Sequence, residues 1–298
     1  MQQNYLLEID GKPAGRFFAF TGGTIQADVI LESAGADNIR HKHISSVKYQ
    51  DMVLSCGTGM SRGFYEWLGA TFGGSASRKN GAVVALDQRQ APTARLEFMH
   101  ALVSSLILPK LDKSANEAAF MTVKISPEVT RSTGAEASAK PGVYISSLPK
   151  AWNISDFRLR IDGLETDCAY VTKIDSLSLG QKVAEDYIGE SRDAQKEAGS
   201  LEYSDLVIRL PEMYATGFFK WLDDFVAKGN NSPQFEKKGT LEFFAPHSSK
   251  AYFGIQFGGL GIREIAGSSA LRTKTSLPVT VGMYCESMKF YAGPSAII

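Results

Sequence analysis

Tyr5–Ile9 and Phe157–Ile161 place apolar side chains at every second residue, the period of a half-buried strand. Met52-Val53-Leu54 and Leu206-Val207-Ile208 are short apolar runs that also read as strands. The period then changes. Phe64, Trp67, Leu68 and Phe72 stand at i, i+3, i+4 and i+8, and Phe218, Trp221, Leu222, Phe225 and Val226 draw the same stripe. Both stripes predict amphipathic helices. Ser61 is placed to cap the first helix and Gly73-Gly74 to stop it, while Gly229 stops the second. Further strands are predicted over Ala82–Asp87, Ala94–His100 and Met121–Ile125, and over Gly239–Phe244, Tyr252–Phe257 and Val279–Met283.

These elements come twice, in one order. Tyr49-Gln-Asp-Met-Val-Leu54 matches Tyr203-Ser-Asp-Leu-Val-Ile208 at a shift of 154 (203 − 49), and Gly63-Phe-Tyr-Glu-Trp-Leu68 matches Gly217-Phe-Phe-Lys-Trp-Leu222 at the same shift. Over 49–68 against 203–222 there are seven identities, where unrelated windows share about one, so the match is an internal repeat. It extends upstream to Ile9-Asp10-Gly11 and Ile161-Asp162-Gly163. Downstream it reaches Lys79-Asn80-Gly81 and Lys237-Lys238-Gly239, Phe98 and Phe257, and Glu128 and Glu286. The shift drifts from 152 (161 − 9) to 159 (257 − 98), which places small insertions in connecting loops. Arg131–Pro149 is small and polar and reads as the link between copies. Gly35–His43 and Glu190–Ser200 read as a long polar loop at the same place in each copy.

One short helix cannot cover two sheet faces. Each copy is therefore expected to be a small antiparallel sandwich or barrel with a helix on one side, its open edges closed by neighbouring modules.

Composition narrows the classes. The 298 residues carry 32 Lys plus Arg against 32 Asp plus Glu, so nothing in the charge points to nucleic-acid binding. A hydrophobic share of 44% fits folded domains, about two by length. No stretch reaches the length of a membrane-spanning helix. The residues from Met1 to Gly15 do not read as a signal peptide, so synthesis and folding in the producer's cytoplasm are expected. Cys56, Cys168 and Cys285 are too scattered for a disulfide or metal framework and are expected as small buried hydrophobes.

Candidate chemistry is thin. His41-Lys42-His43 places two imidazoles on one strand face, but no cysteine or carboxylate cluster accompanies them, and a solvated loop is the simpler reading. Gly57-Thr-Gly-Met-Ser-Arg-Gly63 lacks the Lys-Ser/Thr of a phosphate loop and reads as a turn and helix cap. Gly258-Gly-Leu-Gly261 reads as a turn or bulge. His100 and His247 are isolated from any Ser- or Cys-centred motif. Asp223-Asp224 point in different directions. Asp51 and Asp205 recur, each two residues after a tyrosine, which favours structure over catalysis. No catalytic, cofactor or metal residue is assigned, and the protein is not expected to be an enzyme.

The Ile-Asp-Gly strand, the Tyr-x-Asp-x-Val strand, the helix ending in Trp-Leu, the Lys-x-Gly turn and the strand pair closing near Glu128 or Glu286 together resemble the tail-tube family. That family includes the inner tubes of contractile phage tails and related injection systems, type VI-like ones among them. The resemblance spans roughly 3–131 and 155–291. It implies a mainly β chain of two tandem tail-tube-like antiparallel sandwich or barrel domains, 1–146 and 147–298, each with one short helix. It also implies a structural role. Three chains of two domains (3 × 2) would build a pseudo-sixfold ring, stacked into a tube with sheath, baseplate or terminator proteins as partners. DNA or protein cargo would pass through the lumen without specific binding. The tube would lie in a virion tail or an extracellular injection particle. No cofactor or membrane is implied. Repeat-core residues are Tyr49, Asp51, Trp67, Leu68, Tyr203, Asp205, Trp221 and Leu222; inter-subunit or inter-ring loop candidates are His41, Lys42, His43, Arg192 and Lys196. The alternatives are a tube initiator or baseplate hub with duplicated tube domains and, in another class, an enzyme or ligand-binding protein on a duplicated β scaffold.

Overall fold

The computed structural model describes residues 4–32, 40–134, 150–187, 193–244, 250–267 and 277–293. The first half runs β1 (Asn4–Ile9), β2 (Lys12–Phe17), β3 (Ala19–Gly22), β4 (Ile25–Glu32), β5 (His41–Tyr49), β6 (Met52–Cys56), α1 (Arg62–Phe72), β7 (Lys79–Leu86), β8 (Pro92–Leu108), β9 (Leu111–Asp112), β10 (Ala118–Ala119), β11 (Met121–Ser126) and β12 (Val129–Gly134). The second runs β13 (Trp152–Asn153), β14 (Phe157–Ile161), α2 (Glu165–Cys168), β15 (Lys173–Ile174), β16 (Leu177–Asp186), β17 (Gln195–Tyr203), β18 (Leu206–Pro211), α3 (Thr216–Leu222), β19 (Lys237–Phe244), β20 (Ala251–Gly267) and β21 (Pro278–Ala292).

Two antiparallel sheets dominate. One is ordered β2-β1-β7-β8-β11-β6-β3 and the other β14-β19-β20-β21-β18-β15-β9. Removing the end strands β2 and β9 leaves a single path, walked twice, in which β21 does the work of β11 and β12. Register agrees as well. Ile25 lies opposite Tyr49 in the β4–β5 hairpin, and Leu179 lies opposite Tyr203 in β16–β17. Both hairpins are bulged three residues further on, at Asp28 and at Lys182. The long strands β8 and β20 bulge at Ser104 and Arg263, and turn through left-handed backbone at His100 (φ 50°) and Gly259 (φ 63°). These positions are 159 apart (263 − 104 and 259 − 100). The halves differ after the first strand. Asp10-Gly11 (φ 48° and 75°) close a tight hairpin into β2, whereas Gly163 (φ 75°) leads into α2.

Three local expectations change. The polar stretches ending at His43 and Ser200 lead into strands, not loops: His41–Tyr49 and Gln195–Tyr203 are the second arms of hairpins. β4 is exposed along its whole length and β5 over most of it. A strand without a covered face shows no alternation to read. The second helix departs from its stripe, because after Leu222 the backbone winds into a π turn over Asp223–Ala227, which buries Phe225 and leaves Val226 outside. Of the link at Arg131–Pro149, residues 131–134 finish β12 and the rest lies outside the described residues.

Helix α1 begins where Ser61 accepts a hydrogen bond from the Phe64 amide and ends where the Gly73 amide bonds the Gly69 carbonyl. Replacing Ser61 with alanine should cost about 0.5–1 kcal/mol in chemical denaturation. The buried face of α1 meets the other half of the chain: Tyr65 stacks on Phe290 of β21 at 6.0 Å and on Phe253 of β20 at 6.4 Å. Trp152 joins the same group, 5.2 Å from Phe253 and 6.1 Å from Phe243. One continuous apolar core therefore runs through both halves.

Candidate functional site

The two halves of the chain are held together by a shared strand joint. The distal end of β8 is bonded on one edge to β11. On its other edge it receives β16, with Leu108, Ile107, Leu106 and Ser105 opposite Leu177, Ser178, Leu179 and Gly180. The second half thus adds a strand to the first half's sheet. Leu106 and Leu179 face each other at 0% exposure. The exchange is mutual, because β9 of the first half pairs with β15 of the second and Lys173 Nζ meets Asp112 Oδ2 at 2.6 Å. That contact, with help from Ser114, holds the Asp112 carboxyl well below the usual carboxylate range.

Charge reinforces the joint. Lys196 on β17, only 4% exposed, donates its backbone N–H to Glu128 Oε1 at 2.8 Å. Arg78 donates to the Lys196 carbonyl at 2.6 Å and to Glu128 Oε1 at 3.2 Å. His100 Nδ1 lies 3.1 Å from Glu128 Oε2. Lys196 Nζ is 3.5 Å from Glu185 and 3.8 Å from Asp51. Tyr49 completes the seam by donating its hydroxyl to Asp193 at 3.0 Å. Leu106 and Leu179 carried no signal in the sequence, Arg78 showed only in the basic run Arg78-Lys79 that the second copy replaces with Glu236-Lys237-Lys238, and Glu128 showed only as a residue repeated at Glu286.

The residues singled out from sequence fall into three groups. Lys196, expected in an exposed loop, is buried in a strand because the opposite half covers it. Arg192 lies outside the described residues. His41, Lys42 and His43 are exposed on β5, and His43 Nε2 faces Glu32 at 3.3 Å. Trp67 and Leu68 are buried, and the Trp67 indole donates to the Ser77 carbonyl at 2.9 Å. Trp221 is buried, while Leu222, Tyr49 and Tyr203 are half-buried. Asp51 pairs with Lys124 at 2.8 Å and Asp205 with Arg263 at 3.3 Å.

Two grooves repeat between the helix and the first strand turn, one by Asp10, Trp67 and Lys79 and one by Asp162, Trp221 and Lys237, of about 720 and 450 Å³. In the first, Lys79 and Asp10 neutralise each other at 2.6 Å. Among the described residues no three His, Cys, Asp or Glu side chains gather as a metal site, and no helix is long and apolar enough to cross a membrane. Burial pushes the Cys168 thiol up to about 12 and the half-buried Cys285 thiol to about 11, and raises the fully buried Cys56 further. Little reactive thiolate then exists at neutral pH. Iodoacetamide at pH 7.5 should leave the native protein essentially unlabelled and modify all three cysteines in denaturant, as read by intact mass.

Residues 1–130 match the family described as T4-like virus tail tube protein gp19. No curated protein matches the chain. Among solved structures it is similar to a chain of the anti-feeding prophage baseplate, six-fold symmetrised, at 16% identity over 45% of this chain and 94% of that one, with a TM-score of 0.39. A chain of the PVC sheath-tube complex, an extracellular contractile injection system in its extended state, is 15% identical over 44% of this chain and 88% of that one, with a TM-score of 0.38. Hcp1 from Flavobacterium johnsoniae is 13% identical over 46% of this chain and 95% of its own, with a TM-score of 0.26.

Proposed function

We propose that this chain, whose first 130 residues match the tail-tube family and whose remainder walks the same strand path, is a structural subunit of the inner tube of a phage tail or contractile injection system. The observation that carries the reading is the edge-to-edge joint of β8 and β16. In it a strand of the second half extends the sheet of the first, which supports a wall that grows by adding modules edge to edge. With two domains per chain, split as 1–146 and 147–298, three chains supply six (3 × 2) and close a pseudo-sixfold ring. Rings stack into a tube whose outside meets sheath, baseplate or terminator proteins. DNA or protein cargo passes through its lumen without specific binding. The tube resides in a virion tail or an injection particle. The protein works by shape rather than by catalysis and needs no cofactor.

Negative-stain microscopy of the purified protein should show stacked annuli, and mass photometry a species of three chains. A single chain that persists at high concentration, or rings of six chains, would overturn the proposal. A tube subunit keeps stacking as concentration rises. Growth that stops at a single ring would assign the chain instead to initiating a tube or to a baseplate hub.

A further inference from the structure

We propose that each chain joins the next by repeating, between molecules, the joint it makes within itself: β4 of one copy adds antiparallel to the distal edge of β20 of another, with Ile25 opposite Ile265. The inference rests on the tube reading and specifies its chain-to-chain contact.

The internal joint supplies the register. Leu179 corresponds to Ile25, since each lies opposite the repeated tyrosine of its hairpin (179 − 154 = 25). Leu106 corresponds to Ile265, since each pairs with the repeated valine, Val123 or Val281 (106 + 159 = 265). The internal Leu106–Leu179 pair therefore predicts an Ile265–Ile25 pair, flanked by Ala266 with Thr24 and Glu264 with Gln26. Both sides of this second joint stand open. Among the described residues, Glu264–Gly267 pair only with β21 and β4 only with β5. Ile25 is 57% exposed where Leu179 is fully covered, and Ile265 is half-buried where Leu106 is fully covered.

The helices give the same answer independently. Tyr65 and Phe72 of α1 are buried, Tyr65 against the second half. Their counterparts at a shift of 154, Phe219 and Val226, are 40% and 50% exposed. The apolar face of the second helix is the one left over, on the side where a further domain would sit. Charge agrees: Lys196 and Glu128 are buried together, whereas their counterparts Lys42 (196 − 154) and Glu286 (128 + 158) are both exposed. Each chain thus carries both complementary halves of one interface on different domains. The partner that fits is a second copy, head to tail.

Residues directly opposed in an antiparallel pair have Cα atoms about 4.5–5.5 Å apart, within disulfide reach. In a Cys285→Ser background, oxidising assembled Ile25→Cys/Ile265→Cys protein should give a ladder of linked chains on a non-reducing gel. The yield should be at least tenfold above that of the out-of-register pair Ile25→Cys/Gly267→Cys. Separately, Ile25→Asp, at an exposed position, should leave the melting temperature of the single chain unchanged yet raise the concentration needed for assembly at least tenfold. Annuli that form without the cross-link and are indifferent to Ile25→Asp would overturn this joint and leave the tube reading standing. Wild-type chains that never assemble would overturn both.

Discussion

Replacing Trp152 with alanine should lower the melting temperature by roughly 5–8 °C. A buried Trp-to-Ala change costs about 3–5 kcal/mol, and each kcal/mol shifts a chain of this size by roughly 1.6 °C. The indole is nearly inaccessible and packs edge-on against Phe253 and Phe243. Its segment is pinned on both sides. Ala119 pairs with Trp152 across β10 and β13, and the Thr58 amide bonds the Lys150 carbonyl at 2.6 Å. That crossing is why residue 57 is glycine: a Cβ there would stand 2.0 Å from the Lys150 oxygen. Among the described residues the indole nitrogen has no hydrogen-bond partner, so Trp152→Phe should recover most of the loss. Because the core is continuous, the wild-type protein should melt in one calorimetric transition. Two well-separated transitions would show that the halves are stabilised independently.

The outline of this fold was legible where one face of an element is covered. β14 alternates and α1 spirals with the expected period because each buries one side, β6 and β18 showed as short apolar runs, and the repeat surfaced because Tyr49, Trp67 and their counterparts hold equivalent places. The hairpin arms β5 and β17 escaped for the opposite reason, since polar strands projecting from a sheet are written like loops. The joint was legible only in its repeated members. Glu128 and Glu286 look alike in sequence, but one is buried under the opposite half and the other lies at the surface. Leu106 and Leu179 are ordinary apolar residues until a strand from the other half lands on them. Sequence periodicity reports which face of a strand is covered; it carries nothing about which edge is occupied. That information resides in the difference between the copies, in isoleucine, phenylalanine and valine exposed at 25, 219 and 226 where their counterparts are buried.

Removing the Glu128 carboxylate should be the most damaging change available to the polar seam. Glu128→Ala would leave the buried Lys196 amide without its acceptor and deprive Arg78 and His100 of the oxygens they face. An unpartnered buried donor costs about 1–3 kcal/mol, and breaking a buried ion pair more. The Arg78 side chain is partly solvated, which moderates the total to about 2–4 kcal/mol. Glu128→Gln keeps an acceptor for the Lys196 amide and should lose about half as much. Glu286→Ala, at the matching but exposed position, should leave the single chain's stability within about 0.5 kcal/mol. Denaturant titration of the three variants at a concentration where chains are single tests the contrast. Equal losses at 128 and 286 would mean that coverage by the second half is not what makes this carboxylate matter. A large loss at 128 alone ties the stability of the chain to the same kind of contact that one domain makes with the next.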